Sequence, residues 1–332
     1  MLNTYTTKNS TVSTSSFGRI SSSKQRQQCP AKPQEEQEEL IKITGDCHIH
    51  LALNGVDYQS AQKLHAAGVH EPTVRVLLEG YANANISLLR DGGDAWGVAR
   101  VAKRLAPEFG IDYLTPVFAI HKSGHYGNIV GRTFTTLREY AELVDAAAAA
   151  GADFIKLMTT GIMSFKDFGS IIAGDALPVS ELRQMVHIAH EQGFAVMSHT
   201  NGKQAVLDAI SCGVDSIEHA NFIDSECLDA LAQSQTIYVP TANVTRGLLG
   251  TGLGVDSVLE QIWQASQANI AAAIAKGVTI ALGSDAGATG VRHVSGTYAE
   301  YACFADSCPN KAVLAECLQR GEAAIRATFV RH

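Results

Sequence analysis

Six residues of this chain could hold metal ions if the fold gathers them: His48, His50, Lys156, His199, His219 and Asp285. Imidazole nitrogen and carboxylate oxygen are the usual donors for zinc and its neighbours. The first apolar run ends Asp46-Cys47-His48-Ile49-His50. Side chains alternate across a strand, so His48 and His50 share a face and could share an ion. By itself, such a pair reads more often as two satisfied polar side chains. Lys156 interrupts the run Phe154-Ile155-Lys156-Leu157-Met158, where an unpaired ammonium is costly to bury. A salt bridge near the rim would meet that cost. So would a deprotonated amine that takes up carbon dioxide, because the resulting carbamate is an anionic oxygen ligand able to bridge two cations. His199, His219 and Asp285 each close a further apolar run, in Val196-Met197-Ser198-His199, Ser216-Ile217-Glu218-His219 and Leu282-Gly283-Ser284-Asp285.

The elements that must carry these residues give the set its weight. Strand-like runs fall at 41–50, 85–90, 113–120, 153–158, 195–199, 215–219, 236–241 and 278–284, with amphipathic, Ala-rich stretches between them. Helical patterns cover 137–150 and 179–192, the second opened by Pro178 and closed by Gly193, residues suited to a helix start and stop. Eight β-then-α units predict an α/β protein with a parallel sheet and helices outside. Eight favour closure into a (β/α)8 TIM barrel over an open doubly wound sheet. The glycines of 247–254 fall late in the chain and lack the spacing of a dinucleotide fingerprint. Active sites of such barrels lie at the C-terminal ends of the strands. Five of those ends would bring the six residues to one mouth.

The motif Asp46-x-His48-x-His50, the strand-four lysine within 151–156, then His199, His219 and Ser284-Asp285, together resemble the amidohydrolase superfamily over nearly all of the chain after residue 41. With Leu89-Arg90-Asp91-Gly92-Gly93 after strand two, the pattern is similar to its binuclear metal-dependent branch, which holds Xaa-Pro dipeptidase-like and other N-acyl amino acid hydrolases. The resemblance implies two divalent metal ions, with zinc the default: one held by His48, His50 and Asp285, a second by His199 and His219. A carboxylated Lys156 and a hydroxide would bridge them. It implies hydrolysis of an amide, ester or lactone bond in a small-molecule substrate, an N-acyl amino acid or dipeptide by preference. The hydroxide would attack while Asp285 takes its proton as general base and returns it to the leaving group as general acid. Many members carry an accessory β-sandwich; the polar N-terminal segment cannot supply half of one, so a bare barrel is expected.

A single-metal deaminase of the same superfamily is the nearest alternative. That chemistry usually lacks the strand-four lysine and uses a glutamate just beyond strand five, where this chain has Thr200-Asn201-Gly202-Lys203. A non-catalytic metal-binding barrel and a Schiff-base enzyme acting through Lys156 are the other two. For the substrate, His125 and Tyr126 in the polar loop after strand three could hydrogen-bond a carbonyl oxygen or hold a carboxylate, or could simply face solvent. Arg292, after strand eight, could pair bidentately with a carboxylate, though a lone arginine there is more often a surface residue. Tyr238 in strand seven is a third candidate.

The 332 residues are 46% hydrophobic and 18% charged, a composition that suits one large soluble barrel over 39–332. A net charge of -7 argues against nucleic acid or an anionic membrane as partner, and no apolar run approaches the ~20 residues that span a bilayer. Seven cysteines with no CxxC pair point to reduced thiols and a cytoplasmic location. Residues 1–38, hydroxyl-rich and without an acid before Glu35, read as a disordered or targeting tail, or as a mis-assigned start. A homo-oligomer is left open.

Overall fold

Seven of the eight expected apolar runs are hydrogen-bonded strands in the computed structural model, which describes residues 42–331; the expected tail at 1–38 lies outside the described residues. The strands are β1 (Gly45–Ile49), β2 (Leu88–Asp91), β3 (Asp112–Leu114), β4 (Ala119–Lys122), β5 (Gly131–Phe134), β6 (Ile155–Met158), β7 (Ile162–Met163), β8 (Ile171–Ile172), β9 (Val196–Thr200), β10 (Ser216–His219) and β11 (Ile237–Val239). One parallel sheet runs β1-β2-β3 and another β11-β10-β9-β6-β4-β5, while β7 and β8 form a small antiparallel pair. The expected third strand is divided into β3 and β4 at Pro116, after which Val117 turns to a positive φ of 67°. Asp153 N donates to Thr115 O at 2.9 Å in the gap, so the sheet edge continues towards β6.

The eighth run is irregular, yet it joins the two ends. Tyr238 N donates to Thr279 O and Ala281 N to Tyr238 O, each at 2.9 Å. On the other side Cys47 N donates to Leu282 O at 2.8 Å, and Asp285 N to His48 O at 2.7 Å. These bonds carry the order round from β11 through 278–286 to β1, giving the expected (β/α)8 architecture. Irregularity here has a local cause. A Cβ on Gly283 would lie 2.8 Å from the Cβ of His48, so only glycine lets this segment approach β1 so closely.

Helices cover the outside. The helix Leu137–Ala149 opens with a capping box between Thr136 and Glu139, and Val179–Glu191 stops before Gly193, whose φ is 74°. Their apolar faces meet the strands through Tyr140, Val144, Leu182 and Met185. A second apolar layer of Leu88, Phe154, Met197 and Ile237 packs with Phe329 from the C-terminal helix Lys311–Phe329. The barrel floor is therefore closed, and its opposite end, at the C-termini of the strands, is free for a site. Among the described residues there is no accessory β-sandwich, no helix long and apolar enough to cross a membrane, and every cysteine is a free thiol.

Candidate metal centre

Strand register sets the depth of each candidate ligand. Lys156 pairs across with Met197, one inward-facing position below His199, and His199 is level with Glu218. His48 and His50 reach the same space by alternation along β1. His219 and Asp285 reach it differently. Alternation from Glu218 would turn His219 away, but its φ of 70° brings the ring back to 5.1 Å from that of His48. Asp285 has a φ of 58°, while its neighbour Ser284 turns aside to bond Asp46. Left-handed backbone at residues other than glycine costs energy and concentrates at functional sites.

The result is one gathered set. Ligand atoms of His48, His50 and Asp285 all lie within 4.8 Å of one another. Asp285 Oδ1 is 3.6 Å from His48 Nε2 and 3.5 Å from His50 Nε2. The His199 and His219 rings stand 4.6 Å apart beside them. All five, with Lys156, line the base of a cavity of about 350 Å³.

Three histidines have one ring nitrogen committed, which fixes the other for a ligand. His199 Nε2 donates to Gly161 O at 3.0 Å, and His219 Nδ1 meets Thr241 Oγ1 at 2.7 Å. His48 Nδ1 donates to Glu218 Oε2 at 2.7 Å. Glu218 is clasped in turn by Arg90 Nη2, at 2.9 and 3.0 Å from its two oxygens, and by Ser216 Oγ. Arg90 also donates to Cys47 O and Ser216 Oγ, and its guanidinium lies 4.5 Å from the Phe329 ring centroid. Arg90 and Glu218 are both fully buried. A charged pair so deep is tolerable only because each side is hydrogen-bonded throughout. Its consequence at the site is a His48 held in one tautomer, with Nε2 turned to the ligand position.

Among the described residues four buried side-chain atoms have no hydrogen-bond partner: His48 Nε2, His50 Nδ1 and Lys156 Nζ at the site, and Tyr113 Oη away from it. Burial, reinforced by the Lys156 charge, pulls His50 and His199 down to about 3 and holds His48 well below its ordinary value. Burial does the same to His219, with the neighbouring histidines adding to it. Neutral imidazoles are what a metal requires. Burial also lowers the Lys156 amine to about 8, against the pull of Glu218, and raises Asp285 to about 7, against the attraction of Lys156. Four imidazoles, a carboxylate and an orphaned amine held below its ordinary pKa fit a divalent metal site.

The expected substrate contacts divide. Tyr126 lines the cavity, its ring 5.2 Å from that of His199. His125 is outside the lining, with its backbone N bonded to Lys122 O. Arg292 is solvent-exposed and also outside the lining. Tyr238 is packed in the apolar core. Sequence reasoning gave no role to Arg90 or Glu218, although each is a charge inside an apolar strand, the same signal that marks Lys156. Asn201, which lines the cavity and bonds Gly161 O at 3.3 Å, carries no such signal.

A family model described as the amidohydrolase family matches residues 46–327. No curated protein matches the sequence closely enough to count as a relative. The fold is similar to solved structures at low identity. An amidohydrolase has a TM-score of 0.71 at 20% identity over 86% of this chain and 74% of its own. A Xaa-Pro dipeptidase with methionine bound in its active site has 0.67 at 20% identity over 86% and 75%. The ochratoxinase of A. niger has 0.68 at 19% identity over 86% and 71%.

Proposed function

The chain belongs to the amidohydrolase family, and from that premise we propose that it is a metal-dependent hydrolase of an amide bond, or of an ester or lactone, in a small molecule. The observation that carries this reading is the meeting of His48, His50 and Asp285 within 4.8 Å beside a buried lysine with no partner. His48, His50 and Asp285 would hold one divalent ion, His199 and His219 a second, with Lys156 bridging as its carbamate; zinc is the default identity. Such ions supply a polarised carbonyl and a water acidic enough to attack at neutral pH.

The protein's own groups do the rest. Asp285 takes a proton from the attacking water on a carboxylate oxygen and delivers it to the departing nitrogen or oxygen. Tyr126, whose ring stands 5.2 Å from that of His199, would donate its hydroxyl to the substrate carbonyl. Glu218 and Arg90 keep His48 in its ligating tautomer. N-acyl amino acids and dipeptides are the substrates that the sequence resemblance offers first.

The test is chelation and reconstitution. Protein stripped of metal should lose hydrolysis across a panel of N-acyl amino acids, Xaa-Pro dipeptides, neutral amides, esters and lactones. It should regain turnover with zinc, manganese or cobalt. Metal-loaded protein inert on the whole panel overturns the reading.

A further inference from the structure

Above its polar base the cavity changes character. Three segments make its wall: Ile129 and Val130 before β5, Met163 and Phe165 at the β7 turn, and Val244, Leu248 and Leu253 beyond β11. This wall is organised. Val255 N donates to Phe165 O at 2.9 Å, and a Cβ on Gly254 would come within 2.8 Å of that same oxygen. Thr251 Oγ1 donates to Leu248 O at 2.7 Å, and Gly250 N to Asp256 Oδ1 at 3.0 Å. Leu253 reaches from the cavity to the surface, with 54% of its area exposed. The apolar lining thus continues out to the rim.

The charges point the same way. Among the described residues, Lys156 is the one lysine or arginine that lines the cavity, and it lies at the base. At the rim the lining includes Asp57, whose carboxylate accepts from Gln59 N and Ser60 N and is held below the usual carboxylate range by those bonds. A carboxylate brought against this wall would lose hydration with no cation to replace it, in a cavity whose rim already carries one carboxylate. A phenyl or alkyl group there would be removed from water against matching surface. A space of about 350 Å³ takes a group of that size.

We infer that the substrate carries, beside the bond to be cut, a bulky uncharged apolar group seated on Met163, Phe165, Val244, Leu248 and Leu253, and no carboxylate at that position. The inference rests on the hydrolase reading for the bond that is broken, and on the wall for what lies beside it. It narrows the substrate away from free N-acyl amino acids and towards neutral amides.

A matched pair tests it: an N-acyl phenethylamide and the corresponding N-acyl phenylalanine, which differ by one carboxylate. Zinc-loaded enzyme should show kcat/KM at least tenfold higher for the phenethylamide. Leu253→Arg, a change at an exposed position, should narrow that gap towards parity by placing a cation on the wall. Equal or better turnover of the N-acyl phenylalanine by the parent enzyme overturns the inference. If neither compound is cleaved, the hydrolase reading is what fails, and calorimetric binding of the same pair still decides this one. Tighter binding of the phenethylamide supports it, and equal or tighter binding of the acid overturns it.

Discussion

The base and the wall of one cavity are built on different terms. Base residues sit at strand ends, and His48, His199 and His219 each have a hydrogen-bond partner that sets the ring. Wall residues sit on connecting segments, held by backbone bonds such as Val255 N to Phe165 O. The base presents polar atoms and the wall presents hydrocarbon. Rigid strands fix atoms to the tolerance that ligation and proton transfer need, whereas connecting segments can vary in shape to suit what is bound. Under the proposed function the base would carry the chemistry and the wall the choice of substrate.

That division breaks if changes at the base leave turnover intact. The largest effect is expected from Asp285→Asn, which keeps an oxygen donor but removes the proposed proton carrier. It should retain metal and lower kcat roughly a thousandfold; an undiminished kcat would remove Asp285 from that role. Next comes the support beneath His48. Arg90→Ala leaves Glu218 charged, buried and half-satisfied, and should cost roughly 3–5 kcal/mol of stability in a denaturant titration. Glu218→Gln keeps the shape and should weaken metal binding about ten- to a hundredfold, measured by competition with a chelator. Unchanged metal affinity would reduce the pair to packing.

Changes in the wall should separate from these in kind. Phe165→Ala should raise KM about tenfold for a substrate with a phenyl group while leaving metal content and kcat nearly unchanged. A drop in kcat of the same size would merge wall and base into one machine. The gentlest effect at neutral pH concerns metal-free protein in acid. His199 is held to about 3 by burial, below the ~6.5 of an unfolded imidazole. A depressed histidine adds stability that is present above ~6.5 and is lost as pH falls towards about 3, because the unfolded chain takes up the proton first. Relative to the parent, His199→Gln should therefore become progressively more stable over that window in thermal scans. A difference that does not vary with pH would contradict the buried neutral ring.

How much could be read in the sequence follows the same line between base and wall. Five candidate ligands stand where apolar runs meet polar ends, Lys156 interrupts one, and the structure brings all six to one place. Arg90 and Glu218 were equally readable, since each is a buried charge in a strand, but their pairing is a contact between β2 and β10 that no local pattern encodes. The expected third strand looked continuous because periodicity does not register the turn that Val117 makes. The last run, 278–286, was legible as extended chain, though not as the irregular segment that Gly283 and Asp285 impose. Arg292 shows the limit most clearly: an arginine near a strand end looks the same in sequence whether its side chain turns to the cavity or, as here, to solvent. Met163, Phe165 and Leu253 were invisible as wall residues, because an apolar residue in a loop carries no mark to separate it from core.

Lys156 is the pivot of the proposed site, with a buried Nζ that has no hydrogen-bond partner. Elemental analysis of zinc-reconstituted protein in bicarbonate buffer, parent against Lys156→Ala, tests it most directly. A two-metal site bridged through Lys156 should hold about two ions per chain in the parent and show a sharp loss in the variant, with partial recovery on adding a short carboxylic acid that can stand in for the carbamate. One ion per chain in the parent, or an unchanged count in Lys156→Ala, would contradict it.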